Sequence, residues 1–133
     1  MKPSEAIQLA DQMKPNMMAE AVKYRFLNEI EGRVYNEILM KHTHDADMEK
    51  PHYDVPEEPA DPEEEAEEEP EMLVPDEYAM LYVYWLESRI DERNQETDKY
   101  NNDRALFEDA WGNFGDYWTQ THMPLTGAAS FSV

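Results

Sequence analysis

Two histidines and two aspartates form the group of residues that most resembles a metal site: His42, His44, Asp45 and Asp47. Imidazole and carboxylate groups are common ligands of zinc and other divalent cations. Their spacing matches no closed zinc pattern, and the chain has no cysteine to complete one. We therefore expect no metal at this position and interpret these residues as a solvated helix end.

The sequence also lacks the motifs that carry catalysis. It contains no cysteine nucleophile, glycine-rich phosphate loop, serine nucleophile elbow or paired-histidine helix motif. Carboxylates are abundant, but acid–base catalysis needs one carboxyl group held in a dry pocket with a shifted pKa, and no spacing singles one out. We therefore predict that the protein is not an enzyme, with no catalytic residues and no cofactor.

The charge of the chain is strongly negative. Its 133 residues include 31 acidic and 11 basic side chains, a formal net charge of -20. Affinity for nucleic-acid phosphates comes from clustered Lys and Arg, so this charge disfavours DNA binding, although plain solubility explains the charge equally well.

The absence of cysteine indicates a reducing cytoplasm. The longest apolar run, residues 78–86, is much shorter than the roughly 20 residues of a membrane helix, so we expect no membrane contact.

The most acidic part of the chain is residues 57–71, with ten carboxylates, three prolines and no basic residue. Repulsion and proline leave too little apolar surface there to offset the entropy of ordering. We interpret the segment as part of a loop that divides one domain. The organisation predicted is an N-terminal helical pair at 1–45, an acidic loop at 46–73, an aromatic-rich helical segment at 74–121 and an extended arm at 122–133.

Periodic apolar residues predict an all-α fold. The pattern over 22–39 predicts a helix at 19–41, preceded by a shorter one before Pro15. Gly32, inside the longer helix, indicates a close helix crossing. Pro75 begins another helix, whose apolar residues cover its whole circumference. The prediction is therefore a small helical bundle with a long acidic Pro/Glu-rich loop and an extended C-terminal arm.

The region 91–102 is polar on all faces and fits either a solvated helix or a turn. Two pairs of opposite charge at three-residue spacing favour a helix by a few tenths of a kcal/mol each: Arg89 with Glu92, and Glu96 with Lys99. Beyond this region, a mostly aromatic stripe predicts one face of a last helix: Leu106, Phe107, Ala110, Trp111, Phe114, Tyr117 and Trp118.

Several of these segments carry a resemblance to a known family. The sequence KYRFLNE at 23–29 with RVY at 33–35, and VPDEY at 74–78 leading into LYVYWL at 81–86, resembles the head-to-tail connector (adaptor) proteins of tailed bacteriophages. The segment 100–111 is similar to small prophage proteins encoded among head and neck genes.

This resemblance implies a structural virion protein of the bacteriophage neck. Such proteins are small helical bundles that assemble, commonly as a dodecameric ring, beneath the portal and extend the DNA channel toward a tail-side neck protein. The implied partners are other copies of the chain, the portal protein and the neck protein. DNA is expected to pass without specific binding, and assembly is expected in the host cytoplasm. The acidic insertion at 57–71 departs from the family pattern.

Two sets of residues are the candidate contacts in such an assembly. The helix that is apolar on all sides supplies the candidate subunit interface: Tyr78, Leu81, Tyr82, Trp85 and Leu86. The arm, whose last four residues alternate as in a half-buried strand, supplies the candidate portal contacts: Met123, Pro124, Leu125, Phe131 and Val133. An ordinary frayed terminus is the alternative for the arm.

Two other functions fit the composition. An acidic DNA-mimic inhibitor would use its carboxylates to occupy the basic site of a nuclease or polymerase, and its binding would depend strongly on salt. A phage assembly chaperone or scaffold would also carry a long acidic segment, but it would be absent from the finished particle.

Overall fold

The computed structural model of this protein describes residues 1–125. Residues 126–133, including Phe131 and Val133 of the predicted arm, lie outside the described part. Within residues 1–125 the chain is mostly helical and contains no strand, so the all-α prediction is confirmed at this level. The helices are α1 (Pro3–Met13), α2 (Glu20–Arg33), α3 (Met80–Arg93) and α4 (Thr97–Thr121).

Helix α3 lies at the centre of the bundle. It packs along α4 and also contacts α1 and α2. Its Leu81, Tyr82, Trp85 and Leu86 side chains are at most 3% exposed. Contacts with α1, α2 and α4 bury most of the apolar circumference of α3 within one chain.

The predicted helix at 19–41 agrees with the structure, but its geometry changes along its length. Regular α2 ends at Arg33 and continues as a π-helical turn at Val34–Ile38 and a 3₁₀ turn at Leu39–Lys41. The helix crossing predicted at Gly32 is wrong. A Cβ atom at Gly32 would lie 3.1 Å from Cε of Lys50, so the close neighbour there is a side chain of the loop.

The turn between α3 and α4 lies at residues 94–96. Gln95 adopts a φ of 58°, in the left-handed region that glycine and asparagine usually occupy. The alternative of a turn ending near residue 102 is therefore wrong, because α4 has already begun at Thr97. Both predicted ion pairs are confirmed, each at 3.1 Å: Arg89 with Glu92, and Glu96 with Lys99.

The acidic loop at 46–73 contains no helix or strand, yet both of its ends are attached to the bundle. At its start, the Asn28 side chain on α2 exchanges two hydrogen bonds of 2.8 Å with the backbone of Tyr53. Near its end, Lys2 pairs with Glu68 at 2.8 Å, and the hydroxyl group of Tyr24 donates to Glu69. The acidic loop is therefore held to the bundle at both ends, and its acidic middle part is exposed to solvent. Among the described residues, no helix is both long and apolar enough to cross a membrane.

Candidate functional site

The outer face of the α3–α4 hairpin carries an open groove of about 500 Å³, which we call the outer groove. On α4, residues that recur every three or four positions lie on this face. The lining consists of Glu77, Tyr78, Met80, Tyr84, Leu106, Asp109, Ala110, Asn113, Asp116, Tyr117 and Gln120. Its charged residues are all acidic, so the groove combines an apolar floor with a negative rim.

Large apolar side chains are exposed in the outer groove. Met80 is 41% exposed and Leu106 is 40% exposed. The rings of Tyr78 and Tyr117 stack at a centroid distance of 4.8 Å, which fixes one wall. Exposed apolar surface of this kind marks contact surfaces of proteins more often than isolated exposed residues do.

A second cavity of about 660 Å³, the inner cleft, adjoins the outer groove and shares Met80, Tyr84 and Leu106 with it. It lies between α1, α3 and α4. The other lining residues are Leu9, Met13, Lys14, Pro15, Val83, Glu87, Asn94, Glu96, Lys99, Asn102 and Asp103. Together the two cavities form one continuous concave surface along the hairpin.

A cluster of buried charges lies at the inner cleft. The Nζ atom of Lys14, at the end of α1, is 3.0 Å from Oδ2 of Asp91 and 2.8 Å from Oδ2 of Asp103. Glu87 precedes Asp91 by one helical turn on α3. Burial raises the pKa of Glu87 to about 7, with the nearby Asp103 adding to the effect. Burial likewise raises the pKa of Asp91 to about 6. Three buried carboxyl groups therefore lie near one lysine, which pairs with Asp91 and Asp103.

On another side of the bundle, arginines stack on the ring of buried Trp85 and on that of half-buried Trp111. Arg89 lies 4.6 Å from the ring centroid of Trp85, and Arg104 lies 5.3 Å from the same ring. Arg33 lies 4.9 Å from the ring of Trp111. Each guanidinium group also pairs with a glutamate carboxylate, which balances its positive charge. The cluster joins α2, α3 and α4.

The root of the predicted arm lies against the end of the long N-terminal helix. Thr43 N–H donates to the Met123 carbonyl at 2.8 Å, and Leu125 N–H donates to the Lys41 carbonyl at 2.9 Å. These bonds flank an antiparallel bridge between His42 and Pro124. Met123 is 68% exposed and Leu125 is 52% exposed. The described start of the arm is therefore extended and presents apolar side chains to solvent.

Four of the five candidate subunit-interface residues are buried within the chain. Leu81, Tyr82, Trp85 and Leu86 belong to the core, and Tyr78 alone lines the outer groove. Their contact with a second subunit stays a prediction, and the exposed apolar residues of this region are instead Met80 and Leu106.

The histidine-containing segment has a structural use in the described residues. Nδ1 of His42 lies 2.6 Å from the Ile38 carbonyl, and Nε2 lies 3.1 Å from Oγ1 of Thr119. In the described part of the chain, no three His, Asp or Glu side chains are grouped as a metal site would require.

The sequence reasoning missed Glu87 and its neighbours. A signal was present, because Glu87 lies four residues after Val83 and three before Ile90, at a position of the apolar stripe where a charged residue is unusual.

Comparison of the chain with protein-family models, curated proteins and solved structures found no match. Any function proposed for this chain therefore rests on this geometry and on the resemblance of the segments described above.

Proposed function

We propose that this chain is a structural virion protein of a tailed bacteriophage, a head-to-tail connector (adaptor). It forms a ring with other copies beneath the portal and extends the DNA channel toward the tail. The observation that carries the proposal is the outer groove, where Met80 and Leu106 expose apolar surface beside stacked tyrosines. A subunit of a larger assembly needs such a surface, which becomes buried when its neighbour binds.

The charge of the chain supports the same proposal. A formal charge of -20 gives a ring a negative field, which repels DNA phosphates and leaves few attractive contacts to slow passage. In this proposal some acidic side chains face the channel, and the 57–71 segment lies at its rim or outside. An assembled ring with a basic lumen would contradict this placement.

The arm supports a docking role. Its described start, residues 123–125, is extended and carries exposed Met123 and Leu125, while two backbone hydrogen bonds hold it to the bundle. Extended segments dock by adding backbone hydrogen bonds to a partner surface, and alternate side chains then fill pockets. We therefore assign the arm to portal binding and the outer groove to the neighbouring subunit.

The experiment that tests the proposal mixes the purified chain with a portal protein from the same phage. Native mass measurement and negative-stain imaging should show a ring of this chain at the narrow end of the portal. A Leu106→Glu variant should fail to form the ring, whereas Glu64→Gln, on the exposed acidic loop, should form it normally. A chain that stays monomeric with the portal and is absent from purified virions would overturn the proposal.

The exposed carboxylates of the acidic loop favour a second candidate, the acidic DNA-mimic inhibitor. Residues 63–69 include six glutamates, of which Glu68 and Glu69 are paired. Among the described residues, the carboxylates of the other four form no ion pair and accept no hydrogen bond. This candidate requires salt-sensitive binding to a basic enzyme and inhibition of it. Inhibition of a host or phage nuclease, without virion incorporation, would favour it over the connector. Detection of the chain in assembling heads only would instead favour a scaffold.

A further inference from the structure

Glu87 is a buried carboxylic acid that lines an open cavity without a cation of its own. It is 5% exposed, and in the described part of the chain it forms no ion pair. The lysine of its cluster, Lys14, is directed instead to Asp91 and Asp103. A buried carboxylate without a cationic partner is unfavourable, so a cation that binds beside Glu87 would stabilise its carboxylate form.

The other charged groups that face Glu87 are two carboxyl groups and one lysine. Asp103 of α4, which is hydrogen-bonded to the Glu87 carboxyl group, and Asp91, one turn along α3, disfavour the carboxylate form of Glu87, whereas Lys14 at the end of α1 favours it. The remaining charged residues of the inner cleft, Glu96 and Lys99, pair with each other at 3.1 Å. If all the carboxyl groups of the cluster ionise, Lys14 offsets one of three negative charges.

Apolar walls lead to this acid. Leu9 and Met13 of α1 form one side, and Met80, Tyr84 and Leu106 of the hairpin form the other. Leu9 is 38% exposed and Met13 is 70% exposed, so the walls are open to solvent. Lysine and arginine place a charged head on an aliphatic stem, and a cavity with apolar walls and an acidic end complements that shape.

We propose that the inner cleft binds a lysine or arginine side chain from a cationic amphipathic helix of a partner protein. The stem of that side chain packs between Leu9, Tyr84 and Leu106, and its charged head meets Glu87. The apolar face of the helix packs on the exposed Leu9 and Met13 side chains of the inner cleft.

A partner of opposite charge fits the inner cleft better than a second copy of the chain does, and the outer groove stays with the neighbouring subunit. A second copy also has a charge of -20 and would bring further acidic surface to a cleft whose buried Glu87 already lacks a cation. The inference rests on the proposed function only in taking the occupant to be a protein segment. Its test uses the full chain and a synthetic peptide, so it can fail while portal binding succeeds, or the reverse.

The test measures binding of a fluorescein-labelled 18-residue helix of leucine and lysine by fluorescence anisotropy, at 150 mM salt. The full chain should bind it, and Glu87→Gln should weaken binding about tenfold or more, as for loss of one partner of a buried charge pair. The matched control is Glu64→Gln, which makes the same charge change on the exposed loop and should stay within about twofold.

A second variant keeps the test decisive. Leu106→Arg places a positive charge at the junction of the two cavities and should also weaken binding at least about tenfold. Binding to the unaltered chain should be tighter at pH 8 than at pH 6, because Glu87 accepts the cation as a carboxylate, and Glu87→Gln should lose most of that difference. Equal affinity of all the variants, or an equal loss in Glu64→Gln, would show attraction to overall charge and overturn the proposal. Self-association that competes with the peptide would also overturn it, in favour of a second copy.

Discussion

The hydroxyl group of Tyr82 on α3 donates a hydrogen bond to the carboxylate of Glu31 on α2, in the middle of the core. The same hydroxyl accepts one from Val74 N–H at 3.0 Å. Glu31 accepts two more, from the Tyr53 hydroxyl at 2.7 Å and Leu73 N–H at 3.0 Å. Burial raises the pKa of Glu31, while these donated bonds oppose the rise. One buried carboxylate therefore joins two helices to both ends of the acidic loop.

Removal of the Tyr82 hydroxyl should destabilise the fold. Tyr82→Phe leaves Glu31 with one donor fewer and leaves Val74 N–H without its acceptor, so we expect a loss of about 1–3 kcal/mol in the free energy of unfolding. Urea denaturation followed by circular dichroism measures this loss. Tyr100→Phe, at a tyrosine whose hydroxyl makes no hydrogen bond within the described residues, should change stability by less than about 0.5 kcal/mol. Similar values for both variants would show that the Glu31 network contributes little.

The carboxyl cluster at the inner cleft should make stability depend on pH. Folding raises the pKa of Glu87 to about 7 and that of Asp91 to about 6, so between about pH 4.5 and 7 the folded state binds more protons than the unfolded state. These groups therefore make the fold less stable as pH rises through that window. Raising the pH from 5 to 7.5 should lower the stability of the unaltered chain, relative to Glu87→Gln, by on the order of 1–3 kcal/mol.

Urea denaturation at the two pH values checks this dependence on Glu87. Glu64→Gln serves as the control for net charge, since it removes the same formal charge from the exposed loop and should keep the pH dependence of the unaltered chain. A Glu87→Gln variant whose stability changes with pH as steeply as that of the unaltered chain would contradict the assignment.

The stacking of Arg89 should be specific to arginine. Its guanidinium group lies over Trp85 and also holds Glu29 at 2.7 Å and Glu92 at 3.1 Å. Lysine has no planar group to meet the ring and two carboxylates together, so Arg89→Lys should cost about 1–2 kcal/mol in the free energy of unfolding. The same substitution at exposed Arg25 should cost less than about 0.5 kcal/mol. Thermal and urea denaturation give both values, and equal costs would show that charge alone matters at residue 89.

Deletion of residues 126–133 should separate folding from docking. Because the bundle core lies within residues 6–114, the truncated chain should keep its helical circular dichroism signal and its stability. Binding to the portal protein should weaken, since the deletion removes Phe131 and Val133 of the arm. Surface plasmon resonance against immobilised portal measures the change, with Leu125→Ser as a milder variant. Undiminished portal binding by the truncated chain would refute a docking role for these residues.

Apolar periodicity was enough to predict the helices, because burial and helical geometry follow the same spacing. The helix predicted at 19–41 begins and ends within one residue of the observed helical stretch. Periodicity did not predict the turn at Gln95, since glutamine is not a residue that favours positive φ, and Asn101 and Asn102 gave a stronger turn signal farther along. The turn signal of the two asparagines led to a wrong position because the packing of α3 on α4, and not the local sequence, sets where the turn lies.

The candidate site was harder to predict than the fold. Sequence patterns identify residues that avoid water, but they do not tell which elements of the chain cover them. The residues predicted to face another subunit are therefore buried by α1, α2 and α4, while Met80 and Leu106 on the same hairpin remain exposed. Glu31 follows Leu27 by four residues and precedes Val34 by three, and only the tertiary structure shows that the hydroxyl groups of Tyr53 and Tyr82 donate hydrogen bonds to its carboxyl group.

The joining of Tyr53 and Leu73 to the same oxygen of Glu31 has a practical consequence. The segment between these two residues leaves the bundle and returns to it at the same place, so its length can change without moving any helix. Each doubling of the length of this loop adds only about 0.6 kcal/mol to the entropic cost of closing it. An epitope tag or a small fluorescent domain spliced in near residue 62 would project from the bundle and leave the packing of the helices unchanged. The acidic loop is therefore a suitable site for labelling this protein.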